Sequence, residues 1–264
     1  MLTNTQQLLA LMARLRDPVQ GCPWDVKQDF QTLIPYLIEE AYEVVDAIER
    51  NDMDDLCLEL GDLLLQVVFH SQIAQEQGLF NFEQVAAGIS DKLIRRHPHV
   101  FADAVFATDE DRHKAWEQIK AEERSEKISD HFVSVLAGVP IGMPALMACE
   151  KIQDRAAQHG FDWPDIGPVF EKVQEEIEEI KDACISGNQT HIEEELGDLL
   201  LVVVNLARHL KVNPEIALKA ATRKFTTRFQ YIEQKVAASE RIMTDCDLAE
   251  LDRLWDEAKK QQRN

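Results

Sequence analysis

Residues 39–48 read EEAYEVVDAI and residues 175–184 read EEIEEIKDAC; beyond each, ELGDLL occurs at 59–64 and again at 195–200. Both blocks recur at the same displacement of 136 residues. One match of six residues would mean little. Two in register imply duplication, and self-similarity of this kind decides the architecture before any local reading. The likeness loosens outward but persists. Trp24-Asp25 has a counterpart near Asp162-Trp163, and Lys92-Leu93-Ile94-Arg95-Arg96 resembles Lys224-Phe225-Thr226-Thr227-Arg228. The expected organisation is two copies of one domain, residues 1–130 and 131–264. Between the repeated blocks, a helix over 116–127 and a linker in the breaker-rich Gly138–Pro144 are expected.

Each half reads as helices. Over 33–49, Leu37, Ile38, Ala41, Val44, Val45 and Ile48 recur at helical spacing, and over 55–76 Leu56, Leu60, Leu63, Leu64, Val67 and Val68 form a wide apolar face. The second half repeats this over 169–186 and 190–210, with Gly187-Asn188 as the turn. No alternating pattern long enough for a strand occurs, so the fold class is all-α, two tandem helical bundles. Only 10 Gly and 9 Pro among 264 residues agree with that reading.

Folding each pair of helices as an antiparallel hairpin brings its acids together. About a pivot at Asn51, Glu43 and Glu59 lie eight residues to either side, and Glu40 and Asp62 eleven. About Gly187, the same offsets select Glu179 with Glu195 and Glu176 with Asp198. Four carboxylates should therefore converge twice, at two levels one helical turn (about 5 Å) apart. Those of the second helix sit among leucines, where an unpaired buried ion costs several kcal/mol. A hard divalent cation with oxygen ligands removes that cost. Carboxylates that leave room for water and phosphate suit Mg²⁺ or Mn²⁺. A di-iron bundle would need paired Glu-x-x-His motifs, and Glu110–His113 stands alone.

A formal charge of −20 excludes the Lys/Arg-rich surface that grips duplex nucleic acid or an anionic membrane. Five scattered cysteines without CxxC spacing predict neither a disulfide framework nor a thiolate zinc site. Residues 1–7 lack a basic stretch leading into an apolar one, which predicts no signal peptide. Apolar runs near Leu63–Phe69 and Leu199–Asn205 fall short of the roughly 20 residues that span a bilayer. A cytoplasmic location is expected. The serines lie in no nucleophile motif and no GxxxxGK[ST] occurs, so neither a covalent route nor a Walker-type site is expected. His97 and His99 flank Pro98 in an expected loop, with no metal role.

The pattern EExxE followed by ExxD on adjacent helices resembles the MazG family of nucleoside triphosphate pyrophosphohydrolases. The likeness extends to Gly21-Cys22-Pro23-Trp24-Asp25, to Arg95-Arg96-His97-Pro98-His99-Val100-Phe101, to Lys151-Ile152-Gln153, and to Gly160-Phe161-Asp162-Trp163. The resemblance implies Mg²⁺-dependent hydrolysis of a nucleoside triphosphate to monophosphate and pyrophosphate, broad base tolerance, housekeeping of the nucleotide pool, and helical domains that associate as a homodimer. It implies Mg²⁺ ligands at Glu176, Glu179, Glu195 and Asp198, with equivalents at Glu40, Glu43, Glu59 and Asp62. Lys224 and Arg228 would hold the triphosphate, with Lys92 and Arg96 as first-half matches. Lys172 and Trp255 match nucleotide-binding positions. Glu175, by position, is the carboxylate left to take a proton from the attacking water.

The halves are not equivalent. Seven residues after the ExxD aspartate, two turns along the same face, stands Asn205 in the second half and Phe69 in the first. Lys172 is answered by Tyr36. An amide can bond a phosphate, a base or a metal-bound water, whereas a phenyl ring cannot. The second half is therefore expected to carry most of the hydrolysis.

Overall fold

The computed structural model describes residues 2–125 and 134–261, and every regular element among them is a helix. The chain divides into two compact units, Met1–Ser129 and Asp130–Asn264. The junction expected at 130/131 itself lies outside the described residues.

The first unit holds α1 (Asn4–Leu15), α2 (Pro23–Lys27), α3 (Ile34–Arg50), α4 (Met53–Glu76), α5 (Phe82–Arg96), α6 (Pro98–Phe101) and α7 (Asp109–Ser125). The α3–α4 hairpin is its spine. Asn51 ends α3 in the left-handed region at φ 57°, and the Asp52 side chain caps α4 by accepting from the Asp55 amide at 3.1 Å. An amide side chain tolerates that backbone where a branched one would not. Met12, Leu33, Val68, Phe69 and Ile73 form the buried core. Arg16, itself buried, binds both oxygens of Glu76 and the carbonyls of Asp25 and Gln28, tying the end of α4 to α2.

The second unit holds α8 (Ala145–Gln158), α9 (Ile166–Ser186), α10 (Gln189–His209), α11 (Pro214–Ala238), a 3₁₀ turn at Met243–Asp245 and α12 (Leu248–Gln261). Its spine is the α9–α10 hairpin. Gly187 turns it at φ 67°, and the Asn188 side chain caps α10 through the amides of Thr190 and His191. Ile232, Val236 and Leu254 form a second core between α11 and α12.

Several expectations shift. The helix expected over 116–127 begins at Asp109, because Thr108 caps it by accepting from the Asp111 amide; 126 and 127 lie outside the described residues. His97-Pro98-His99 is not wholly loop, since Pro98 opens the short α6. The Gly138–Pro144 segment lies inside the second unit, and Arg155 of α8 donates to the carbonyls of Leu136 and Ala137 just before it and of Gly138 at its start. Among the described residues one helix, Met53–Glu76, is long and apolar enough by length and composition to cross a membrane. Glu59 and Asp62 break its apolar sequence without ending the helix, so its uninterrupted apolar runs are shorter than the helix itself.

Candidate active site

In the second unit, Glu176 and Glu179 project from α9 and Glu195 from α10, each with a carboxylate oxygen within 4.8 Å of the other two. In the first unit, Glu40 and Glu43 of α3 and Glu59 of α4 satisfy the same limit. The hairpin register read from the sequence thus brings together three of the four acids in each half. Asp62 and Asp198 lie outside these triples and are exposed, although the Asp62 charge acts on both Glu40 and Glu59. The leucine layer expected around the acids is also more open than anticipated. Leu58, Leu60, Leu64, Leu196 and Leu200 are exposed, since a two-helix hairpin covers only one flank of each helix.

The surroundings of the two triples differ. Glu176 is buried, at 3% exposure, and its Oε1 accepts from Lys172 Nζ at 2.8 Å. The same ammonium bonds Glu175 at 2.8 Å, and the two carboxylates hold Lys172 well above the usual lysine range. His191 Nε2 lies 2.9 Å from Glu195 Oε1. Burial, opposed by Lys172 and reinforced by Glu176, Glu195 and Glu175, raises the carboxyl of Glu179. In the first unit burial raises Glu40, helped by Asp62, Glu43 and Glu59. Burial likewise raises Glu59, helped by Glu43, Asp55 and Asp62.

Besides Oε1 of Gln153, two buried oxygens of the second unit lack hydrogen-bond partners among the described residues: Oε2 of Glu176 and Oδ1 of Asn205. Both are acceptors, and an orphaned buried acceptor costs about 1–3 kcal/mol. The orphaned Glu176 oxygen, beside the carboxylates of Glu179 and Glu195, fits a hard cation. Asn205 is buried, unlike Asp198 two turns earlier on the same helix. Phe69, its counterpart, is part of the first core, and Trp24 stands edge-on to both Phe69 and Tyr36 at 6.4 and 5.7 Å.

The remaining candidates stand on another helix pair. Lys224 is exposed on α11, and one turn on, the Arg228 guanidinium lies 5.4 Å from the ring of Trp255 on α12. Trp255 also packs 5.0 Å from Phe225. In the first unit, Arg96 and Arg95 both bind Glu123 of α7, and Arg96 sits 6.0 Å from the Trp116 ring. The motif pieces of the second half have supporting positions. Gln153 donates to the Leu201 carbonyl at 2.9 Å, and Asp162 receives Arg208 and His209 from the end of α10. Sequence reasoning missed His191, although its place four residues before Glu195 on one helix face was a signal. It also missed Arg16, whose role depends on contacts across 60 residues.

Helical hairpins that each gather three acids define an all-α class of protein whose carboxylates could hold a hard cation. A family model described as the MazG nucleotide pyrophosphohydrolase domain matches residues 28–101 and 169–233. A nucleoside triphosphate pyrophosphohydrolase of Escherichia coli (strain K12) is 51% identical over 99% of both chains. The nucleoside triphosphate pyrophosphohydrolase/pyrophosphatase MazG of Thermotoga maritima is 44% identical over 96% of this chain and 95% of its own. A nucleoside triphosphate pyrophosphohydrolase of Mycobacterium tuberculosis is 39% identical over 58% of this chain and 44% of its own. The chain belongs to the MazG nucleotide pyrophosphohydrolase family.

Proposed function

We propose that the chain hydrolyses nucleoside triphosphates, ATP among them, to monophosphate and pyrophosphate. We infer Mg²⁺, replaceable by Mn²⁺, at Glu176, Glu179, Glu195 and Asp198, with weaker sites at Glu40, Glu43, Glu59 and Asp62. The observation that carries this reading is the Glu176–Glu179–Glu195 triple together with the unsatisfied buried Oε2 of Glu176. When bound, the ion supplies a more acidic water and neutralises charge on the phosphates. Glu175, with Oε1 paired to Lys172, keeps Oε2 to accept a proton from the attacking water. Lys172 holds the carboxylates in place and can turn to a phosphate when a cation replaces it. Lys224 and Arg228 hold the triphosphate, and Trp255 gives the base an apolar wall, an arrangement that tolerates many bases. Housekeeping of the nucleotide pool, in the cytoplasm, is the role proposed for that tolerance.

Two measurements test this reading. Activity should require Mg²⁺ or Mn²⁺ and vanish in EDTA, with pyrophosphate and not orthophosphate released. In ¹⁸O-labelled water the label should enter the monophosphate; label found only in pyrophosphate would overturn attack at the α-phosphorus. We also propose a homodimer. The apolar surface left open on α4 and α10, including Leu58 at 65% and Leu200 at 51% exposure, supports a second copy as its cover. Sedimentation at micromolar concentration should give about twice the 30.2 kDa chain mass, and a species at that single mass would overturn the dimer.

A further inference from the structure

The first unit holds a pocket that contains none of the site carboxylates. It lies where the end of α5, α6 and α7 meet, and Arg96, His97, His99, Arg112, His113 and Trp116 supply its polar and aromatic lining. The chain carries 48 acidic residues against 28 basic ones, yet no aspartate or glutamate lines this pocket. Three of the eight histidines do. A cationic lining in so acidic a chain selects an anion.

The donors are arranged and partly unspent. Glu123, outside the lining, binds Nε and Nη2 of Arg96 and so fixes the guanidinium; Nη1 makes no hydrogen bond among the described residues. Arg112 is exposed and, among the described residues, pairs with Asp109 at 3.2 Å. His97 Nδ1 bonds the Leu93 carbonyl at 2.7 Å, which leaves its Nε2 for a ligand. His99 Nδ1 is buried with no partner among the described residues. Fixed forks of this kind match phosphate oxygens.

Size and stacking narrow the ligand. The cavity volume is about 220 Å³, below the roughly 300–1,000 Å³ of pockets that enclose drug-sized molecules. The Trp116 ring already has Lys120 Nζ at 3.9 Å and Arg96 at 6.0 Å from its centroid, so a base would have to displace a cation to stack there. The geometry points to a diphosphate group as the occupant, either free pyrophosphate or the diphosphate end of a nucleotide whose base stays outside. Naming the free form as the enzyme's own product rests on the pyrophosphohydrolase reading, but the presence of the pocket does not.

The test is calorimetric titration of the full chain in EDTA, where neither turnover nor metal-bridged binding at the carboxylates occurs. The ligands are inorganic pyrophosphate, ADP and AMP, and the proteins are the natural chain, R112Q/H113Q and K114Q. Arg112 and His113 are exposed, so their replacement spares the core, and Lys114 is an exposed neighbour outside the lining. Pyrophosphate should bind, AMP at least ~10-fold more weakly, and R112Q/H113Q should weaken pyrophosphate at least ~10-fold while K114Q does not. ADP binding as well as pyrophosphate supports a carried diphosphate, and ADP binding like AMP supports the free anion. Three results overturn the proposal: no pyrophosphate binding, AMP binding as tightly as pyrophosphate, or an equal loss in K114Q. Each leaves the hydrolase reading standing, because no turnover is measured.

Discussion

The two hairpins keep the same three acids within the same 4.8 Å limit and differ in the side chains that meet them. Where the second unit has Lys172, His191 and Asn205, positions 136 residues earlier hold Tyr36, Asp55 and Phe69. Two of these exchanges remove a cationic or basic partner of the carboxylates, and the third turns an amide into a phenyl ring. Asp55 adds a charge that helps to raise Glu59, although Arg50 binds it. Tyr36 and Phe69 share the edge of Trp24 instead of facing a polar substrate. After duplication, ligand geometry survives because it is set by helix phase and turn length, whereas the surrounding side chains drift independently. Retained acids alone therefore do not establish two equal active sites.

The largest expected effect separates the halves directly. Glu195→Ala should lower kcat/KM at least ~100-fold, about 2.7 kcal/mol of transition-state stabilisation, and Glu59→Ala should not. Equal losses would mean that both sites turn over, and a larger loss for Glu59→Ala would invert the comparison. Each variant needs a folding check by circular dichroism.

A second comparison lies in the arginines. Arg228 lies over Trp255, and Arg96, near Trp116, is clamped by Glu123. Hydrogen bonds from Arg96 and Arg95 hold the Glu123 carboxyl down to about 2, from an ordinary 4.5. A carboxyl lowered on folding stabilises the protein above its unfolded value and loses that contribution as pH falls through the folded one. The natural chain should thus lose about 1–2 kcal/mol between pH 5 and 2 that Glu123→Gln does not lose, after discounting for the exposure of Arg95. Urea melts across that range should converge toward low pH, and parallel curves would show that the clamp contributes nothing.

The smallest expected effect concerns Lys172, the built-in counter-ion of the second site. Lys172→Met should lower Tm by about 2–4 °C in EDTA, where Glu176 loses its partner, and by less in saturating Mg²⁺. An equal drop in both media would mean that the lysine stabilises α9 and does not stand in for the cation.

The spine of each unit was legible because it is local. Helix phase, the turns at Asn51 and Gly187, and the cap positions at Asp52 and Asn188 all follow from neighbours in sequence. The convergence of Glu40, Glu43 and Glu59, and of their counterparts, followed from the same arithmetic. What escaped was long-range or had weak periodicity. The Thr108 cap that starts α7 is a single hydroxyl before a charged run. The grip of Arg16 on Glu76 joins residues whose types announce nothing individually. The exposed setting of Asp62 and Asp198 was hidden for a related reason, since a leucine-rich neighbourhood in sequence says nothing about which flank another helix covers.

Surface turns are ordinarily where a chain accepts extra residues most readily. The bends at Asn51 and Gly187 are surface turns by position, yet each acts as a length gauge. One residue added at the start of α4 or α10 turns every following side chain by about 100° and advances it about 1.5 Å. Glu59 or Glu195 would then leave the triple while the helix itself remained intact. Insertions there should spare folding and abolish cation binding, whereas the same insertion at Lys211-Val212, between α10 and α11, leaves the hairpin untouched. The hairpin bend is thus the place where these domains are least free to vary in length, although nothing in it takes part in the chemistry.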